Sequence, residues 1–339
     1  MPDPARPDRV RWGVLGAARI AREKVIPAML KAENVEVVAI ASRSEAVARA
    51  AADALRVPRA HGSYEALLAD PGVDAVYVPL PNHLHVDWSI RALQAGKHVL
   101  CEKPLGMDAA EVQRLMEAAA AHPRFKVMEA FMYRFHPQWV TAKRLIDEGA
   151  IGRLVTVHSH FSYVKYDPEN IRNQPEAGGG GLRDIGSYDV SLSRWLFGGE
   201  PLRVVATVDI DPELGVDRLV SAILDFGRGR TATFTCGTQH QAYQRAHAYG
   251  DEGRIELEIP FNAPQDGPCR LWHETAAGIH QTTFDRVDQY TLQAEAFSRA
   301  VLEDAPVPTP LSDALANQRV LDAIFESGQA GRWVEVAGA

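Results

Sequence analysis

Three small residues near the N-terminus, Gly16, Ala18 and Ala21, have the spacing of a phosphate-binding turn. They stand where a short apolar run ends at Leu15 and a helix-like stretch begins near Ala18. Glycine permits a tight turn, and small residues let main-chain N–H groups and the positive end of a helix approach a pyrophosphate. Glycine and alanine also occur in such turns for packing alone, so the interpretation depends on the elements that follow.

The segment Ala41–Ser44, which ends the next apolar run, indicates which dinucleotide would fit. NAD-binding chains tend to carry Asp or Glu here, which binds the ribose diol. This chain has Arg43 between two serines, so a guanidinium and two hydroxyls could hold a 2′-phosphate. The alternative is a helix-capping serine and a solvated arginine. The missing acid favours NADP, and the residues expected to contact it are Gly16, Ala17, Ala18, Arg19, Ile20, Ser42 and Arg43.

Short apolar runs alternate with helix-like stretches through the first third of the chain. The predicted strands are Val10–Leu15, Val35–Ala41, Ala75–Val78 and His98–Cys101. The predicted helices are Glu45–Leu55, Tyr64–Leu68, His85–Gln94 and Asp108–Ala121. Strands that alternate with helices predict βαβ units and a doubly wound parallel sheet, and this rhythm supports the dinucleotide interpretation of the Gly16 turn.

After about residue 129 strand follows strand, which predicts an antiparallel or mixed sheet. The sequence predicts two helices on one face of this sheet, at 182–197 and 289–302, and a final helix at 312–328. We therefore expect two domains, at 9–129 and 130–336. The predicted strands of the second domain are Leu154–Val164, Leu202–Ile210, Leu219–Phe226, Thr231–Cys236 and Ile255–Ile259.

Composition excludes several classes of protein. The 339 residues carry a net charge of −8, which argues against nucleic acid as a partner. The three cysteines are not spaced as zinc ligands, and His83 and His85 have no third ligand nearby in the sequence, so no metal is expected. Isolated thiols, no membrane-spanning apolar run and no secretory signal predict a cytoplasmic protein whose first eight residues or so form a loose tail.

Four later segments carry a family resemblance. They are PLPNHLH at Pro79–His85, GKHVLCEKPL at Gly96–Leu105, MYRFHPQW at Met132–Trp139 and GGGGLRDIGSY at Gly178–Tyr188. In this order and spacing the chain resembles the glucose–fructose oxidoreductase, inositol dehydrogenase and rhizopine-catabolism family. It is most similar to the NADP-dependent branch with glucose–fructose oxidoreductase, D-xylose dehydrogenase and dimeric dihydrodiol dehydrogenase.

The resemblance implies an α/β protein with an N-terminal Rossmann dinucleotide-binding domain. The implied C-terminal α/β domain has a large, mostly antiparallel open sheet that usually carries a dimer interface, so a homodimer is expected. It also implies that Tyr188 is the general acid–base and Lys103 its electrostatic partner. An isolated tyrosine has a pKa near about 10, and an ammonium about 4 Å away would lower it toward neutrality while burial opposes the shift. The alternatives are a packing tyrosine and a solvated lysine.

Asp184 lies four residues before Tyr188, so the two share one face of a helix and Asp184 could bind a sugar hydroxyl or orient the pair. A helix N-terminal aspartate is also favoured by the helix dipole alone.

The glycines at Gly178–Gly181 could bind phosphate, although they more simply let the chain pass close to substrate or cofactor. Trp139, Phe161 and Tyr163 are interpreted as core or interface aromatics.

The resemblance implies further contacts. With NADP these are expected from Pro81, Asn82, His85, Glu102 and Lys103. With substrate they are expected from Lys103, Arg134, His136, Asp184 and Tyr188.

The expected function is NADP-dependent oxidation of an aldose at C1 to its lactone, or the reverse. Some relatives hold NADP so tightly that one sugar is oxidised while another is reduced. The alternatives are an oxidoreductase of another carbonyl, such as an anhydro-sugar ketone or a trans-dihydrodiol, and a non-enzymatic NADP-sensing regulator.

Overall fold

The computed structural model describes residues 8–338 and divides them into two compact units. One comprises residues 8–132 with Asp288–Leu315, and the other comprises Tyr133–Val287 with residues 316–338. Apart from Asp8, the expected loose tail lies outside the described residues. None of the helices within 8–338 is long and apolar enough to cross a membrane.

The first unit contains a six-stranded parallel sheet in the order β3-β2-β1-β4-β5-β6, which confirms the predicted Rossmann topology. Its four predicted strands are nearly continuous apolar runs because both faces of the sheet are covered at these strands. Two short strands, β3 and β6, were not predicted. The strands are β1 (Val10–Leu15), β2 (Val35–Ala41), β3 (Arg59–His61), β4 (Ala75–Val78), β5 (His98–Cys101) and β6 (Val127–Glu129).

Three helices of the first unit begin directly after a residue whose side chain caps them. Ser44, Ser63 and Asp108 each accept a hydrogen bond from a backbone N–H in the first turn of the helix they precede. The helices are α1 (Ile26–Met29), α2 (Glu45–Leu55), α3 (Tyr64–Leu68), α4 (His85–Gln94), α5 (Ala109–Ala121), α6 (Pro137–Asp147), α7 (Ser187–Phe197), α8 (Gln289–Leu302) and α9 (Leu311–Ala330).

Helix α8 corrects one prediction, because it packs in the first unit and does not cover the second sheet. The Trp12 indole N–H donates to Ser298 Oγ at 3.1 Å, and the Thr291 hydroxyl donates to the Ala28 carbonyl at 2.9 Å. The rings of Trp12 and Phe297 lie 5.3 Å apart and are fully buried. An amphipathic pattern shows that a helix must be covered but not which sheet covers it.

The second unit contains a nine-stranded sheet in the order β14-β13-β12-β11-β7-β10-β9-β8-β15. Only β7 and β10 pair in parallel, so the prediction of a mostly antiparallel sheet is confirmed. Side chains of β10 alternate between a buried face and a half-exposed face. The strands are β7 (Leu154–Val164), β8 (Arg203–Ile210), β9 (Asp217–Asp225), β10 (Thr231–Gly237), β11 (Gln239–Gly250), β12 (Gly253–Leu257), β13 (Cys269–Thr275), β14 (Gly278–Phe284) and β15 (Val334–Glu335).

Four strands of the second unit, β11, β13, β14 and β15, and helix α6 were not predicted. β11 contains three Gln and two His, and most of its side chains are exposed or half-exposed, so it lacks the apolar run by which the predicted strands were found. Helix α6 begins at Pro137, after His136 accepts a hydrogen bond from the Gln138 N–H.

Candidate functional site

The turn after β1 needs glycine at its first position. Gly16 has φ +121°, and its N–H donates to the Ala41 carbonyl at 2.9 Å. The positive φ disfavours any other residue, and a Cβ at this position would also make a tight contact of 3.1 Å with Leu80 Cδ2. Helical hydrogen bonding begins at Ala18, and Ala21 is fully buried. This local geometry is that of a dinucleotide-binding turn.

The end of β2 separates the roles of its serines and its arginine. Ser44 caps α2, as the capping alternative predicted, and the Ser42 hydroxyl accepts from the Ser44 N–H at 3.4 Å. Arg43 is exposed and makes no hydrogen bond or ion pair with any residue in 8–338. Its guanidinium is therefore available to an external anion.

Tyr64 was missed by sequence analysis and lies beside this turn. Its hydroxyl is 3.9 Å from the point that a Gly16 Cβ would occupy. Burial raises the pKa of Tyr64, while the Arg43 charge acts in the opposite direction. The phenol is thus a neutral donor between the glycine turn and the free guanidinium. A lone tyrosine early in a short helix gave no signal for this position.

The loop of residues 102–105 presents Lys103 and is held on three sides. The Tyr77 hydroxyl donates to Glu102 Oε1 at 2.5 Å, and the Leu105 N–H donates to Glu129 Oε1 at 2.8 Å. The Lys103–Pro104 peptide bond is cis. Glu102 therefore helps to hold the loop, and its expected contact with NADP stays a prediction.

His85 provides the third support. Its ring is fully buried, with Nδ1 2.8 Å from the Pro104 carbonyl oxygen and Nε2 2.8 Å from that of Leu80. Burial lowers its pKa to about 4, so the ring is neutral at pH 7 and one nitrogen donates. His85 joins the loop after β4 to the loop that carries Lys103. Asn82 and Pro81 are half-exposed at the turn before α4, and contacts of these three residues with NADP stay predictions.

In the second unit Asp184 is bound by two side chains that sequence analysis did not assign to the site. The Tyr163 hydroxyl donates to Asp184 Oδ2 at 2.5 Å, and Arg172 Nε donates to the same oxygen at 2.9 Å. The Asp184 side chain is 13% exposed. The pKa of Arg172 is raised mainly by the Asp184 charge, and that of Tyr163 is raised by burial and by the same carboxylate. These contacts favour an ionised Asp184 beside a neutral phenol.

Tyr188 lies one helical turn further on and is 5% exposed. Its ring contacts those of Tyr133, Phe161 and Phe261 at centroid distances of 5.4–5.8 Å. Phe161 and Tyr163 are two residues apart on β7 and therefore point to the same face. The strand thus touches Tyr188 with one aromatic residue and Asp184 with the other, which brings these two predicted site residues together.

The glycines at 178–181 pack against protein. A Cβ on Gly180, which has φ +113°, would lie 1.9 Å from Asp217 Oδ1, and one on Gly179 would lie 2.5 Å from the Arg172 carbonyl oxygen. Asp217 Oδ2 accepts from the Leu182 N–H at 2.5 Å. Burial raises the pKa of Asp217 to about 7, against the effect of the backbone N–H groups. Asp217 therefore anchors the beginning of the helical segment that carries Asp184 and Tyr188.

Arg134 and His136 serve contacts inside the second unit. Arg134 Nη2 donates to Ser191 Oγ at 2.8 Å, and its guanidinium lies over the ring of Trp195. His136 is 1% exposed, its Nδ1 accepts from the Gln138 N–H, and burial lowers its pKa to about 4. Contacts of either residue with substrate stay predictions.

Tyr163 and Arg172 left no usable signal in the sequence. Tyr163 has the pattern of a sheet aromatic, and Arg172 lies in a loop twelve residues from its carboxylate partner. Within 8–338 no group of three or more His, Cys, Asp or Glu side chains could hold a metal ion.

A parallel dinucleotide-binding sheet, a glycine turn and a held lysine loop define the first unit as that of a nucleotide-dependent oxidoreductase. The second unit adds a carboxylate and a phenol on one helical segment. Sequence comparison agrees with this class. Residues 10–131 match the oxidoreductase family with an NAD-binding Rossmann fold, and residues 139–256 match the GFO/IDH/MocA C-terminal domain.

One relative and two solved structures illustrate the likeness. The D-xylose 1-dehydrogenase (NADP(+)) 2 of Haloferax volcanii is 40% identical over 96% of this chain and 99% of its own. The 3-ketoreductase KijD10 of Actinomadura kijaniata, crystallised with NADP and TDP-benzene, has a TM-score of 0.88 and 33% identity over 94% of this chain and 98% of its own. The structure of the aldose–aldose oxidoreductase of Caulobacter crescentus has a TM-score of 0.88 and 26% identity, and the match covers 96% of this chain and 99% of that one. The chain belongs to the GFO/IDH/MocA oxidoreductase family.

Proposed function

We propose that this chain is an NADP-dependent oxidoreductase that oxidises an aldose at its anomeric carbon to the lactone, or catalyses the reverse reduction. The observation that carries the proposal is the Asp184 carboxylate. Arg172 and Tyr163 hold it on the helical segment that also bears Tyr188. The ionised Asp184 carboxylate can accept a hydrogen bond from one hydroxyl of the sugar. The Tyr188 phenol can exchange a proton with the adjacent hydroxyl of the same sugar.

The residues of the first unit fit NADP. Gly16 adopts a positive φ that favours glycine at the turn, and Arg43 is an exposed guanidinium with no protein partner among the described residues. A free guanidinium suits a 2′-phosphate, whereas a carboxylate there would repel it. The Haloferax and Actinomadura proteins are named with NADP, which supports the same choice here.

In the proposed mechanism, bound NADP supplies the acceptor for the hydride that leaves the anomeric carbon. Tyr188 takes the proton of the anomeric hydroxyl, so that the carbon–oxygen bond becomes the carbonyl of the lactone. Lys103 favours the deprotonated phenol by its charge. Asp184 binds a neighbouring hydroxyl and orients the ring. In the reverse direction Tyr188 returns the proton to the carbonyl oxygen.

The test is a panel of aldoses with the purified protein and NADP or NAD, followed by nicotinamide absorbance. We expect NADP reduction with at least one aldose, and loss of most turnover in Lys103→Met and Tyr188→Phe with NADP binding retained. Near-normal kcat in either variant would remove the mechanism. Activity with no aldose would refute the substrate class.

Adding an aldose without nucleotide tests a second part of the proposal, that NADP stays bound while one sugar is oxidised and another reduced. Fluorescence from a retained reduced nucleotide is the expected result. If the protein purifies free of nucleotide, NADP exchanges between turnovers.

A second candidate is reduction of a sugar ketone. The likeness to the 3-ketoreductase covers 94% of this chain, and that protein has been crystallised as lysine and tyrosine variants. The same Lys103 and Tyr188 would serve a ketone, with Tyr188 donating the proton. Turnover of a keto-sugar together with inertness toward all aldoses would favour this candidate.

The proposed assembly is a homodimer through the second sheet, and the proposed location is the cytoplasm. The face of β7–β11 that α7 leaves uncovered forms a shallow groove of about 840 Å³, with Ile223 and Tyr243 41% and 50% exposed. A second copy would cover these side chains. Light scattering should give twice the chain mass, and Ile223→Arg should shift it toward the monomer. A monomeric parent protein would refute the assembly.

A further inference from the structure

Arg172 is fixed in place by its backbone as well as by its side chain. It lies in the short turn Ile171–Asn173 after β7. Its carbonyl oxygen accepts from the Gly180 N–H at 2.8 Å, and the Gly179 N–H donates to Gln174 at 3.0 Å. The turn is therefore joined to the glycine segment that precedes Asp184 and Tyr188. A substitution of the Arg172 side chain leaves these backbone contacts intact.

The guanidinium faces the Asp184 carboxylate, which lies one helical turn before Tyr188. Its Nε donates to Asp184 Oδ2 at 2.9 Å, and the side chain is 43% exposed. The charge of Asp184 raises the pKa of Arg172, with further contributions from Tyr163 and Tyr188. Electrostatic coupling is reciprocal, so the guanidinium favours the ionised phenol of Tyr188 as much as that phenol favours the guanidinium.

Four further titratable or charged groups lie near the segment that carries Asp184 and Tyr188. Burial raises the pKa of the Cys236 thiol, which is therefore neutral at pH 7, and burial also raises the pKa of Asp189. Burial raises the pKa of Asp217 to about 7. Arg183 directs its guanidinium over the ring of Phe325. In all, the titratable and charged groups near Asp184 and Tyr188 are Tyr163, Arg172, Arg183, Asp189, Asp217 and Cys236.

We propose that Arg172 is a positioning residue of the Tyr188 site, which orients the Asp184 carboxylate and supplies a positive charge that favours deprotonation of the Tyr188 phenol. This inference rests on the proposed role of Tyr188 as the acid–base group. Arg172 would then be a second cation, besides Lys103, that favours the ionised phenol, and it belongs to the same unit as Tyr188. Arg172 does not itself exchange a proton with substrate.

The test compares Arg172→Met and Arg172→Lys with a matched control, Arg203→Met. Arg203 Nε also donates to an aspartate Oδ2, that of Asp225, at 2.9 Å, and its side chain is 46% exposed. In the oxidation direction Arg172→Met should move the acid limb of the kcat–pH profile upward by about one pH unit and lower kcat at neutral pH about tenfold. The KM for NADP should not change. Arg172→Lys should keep the acid limb near its original position, and Arg203→Met should change neither quantity.

A merely structural role gives a different result. It would lower kcat equally at every pH, with the acid limb unmoved in Arg172→Met, and this outcome overturns the inference. Failure of the proposed function is seen separately, as an inert parent protein. In that case the ring signals of ¹³C-labelled tyrosine, with Tyr188 assigned from Tyr188→Phe, measure its titration directly. An unchanged midpoint in Arg172→Met overturns the inference whether or not the protein turns over.

Discussion

The ring of His85 lies between two backbone carbonyls, with Nδ1 2.8 Å from Pro104 O and Nε2 2.8 Å from Leu80 O. The ring is completely buried, so it is a structural link between the loops that follow β4 and β5. Lys103 immediately precedes Pro104, and its position therefore depends on a histidine that the sequence suggested as a cofactor ligand.

His85→Phe should lower kcat at least about tenfold while the Kd for NADP changes by less than about threefold, because the loop that presents Lys103 loses its support. His85→Asn keeps a donor near Pro104 and should retain more activity. The control is His98→Phe, since His98 is also a largely buried histidine with a pKa lowered by burial to about 4 but lies at the beginning of β5. A loss confined to NADP affinity would instead indicate a direct contact with the cofactor.

Gly180→Ala should destabilise the second unit by about 3 kcal/mol or more, because the residue has a positive φ and its Cβ would overlap Asp217 Oδ1. Chemical denaturation measures the effect. Gly199→Ala is the control, since nothing lies within 4 Å of a Cβ there and its φ is outside the left-handed region. Equal stability of the two variants would contradict the close approach.

Asp217 should make stability depend on pH in an unusual direction. Burial raises its pKa to about 7 in the folded protein, and an unfolded aspartate titrates near about 3.9. The folded state therefore binds the extra proton between these values, and the native protein loses stability as pH rises from about 4 to about 7. Relative to the parent, Asp217→Asn should gain stability over that interval, on the order of a few kcal/mol, and stay level above it. A constant difference across the interval would show that Asp217 is ionised throughout.

Arg43→Asp should raise the KM for NADP at least about tenfold and leave that for NAD much less affected, because a carboxylate replaces the proposed phosphate clamp. Arg49→Asp makes the same charge change at an exposed position of α2 and should alter neither constant. Steady-state kinetics with both nucleotides gives the ratio. Equal effects of Arg43→Asp on the two cofactors would contradict the clamp.

The dinucleotide unit could be predicted in detail because its signals are local. Four strands and their helices follow from apolar runs and capping residues, and the bounds of β1, β2, β4 and β5 agree with the prediction. The Gly16 turn and the acid-free end of β2 are also local patterns. Strand β11 was missed because its polar side chains on the uncovered face carry no such pattern.

Sequence alone determined the class of sheet, the nucleotide turn and the residue types able to exchange a proton, since these depend on neighbours within a few positions of the chain. The tertiary structure decided which distant side chains position the residues of the candidate site and cover the elements around it. Arg172 reaches Asp184 across twelve residues, Asp217 reaches Leu182 across thirty-five, and α8 returns to Trp12 from the far end of the chain. Such partners are chosen by packing and by the need to pair buried polar atoms, and neither leaves a periodic trace in the sequence.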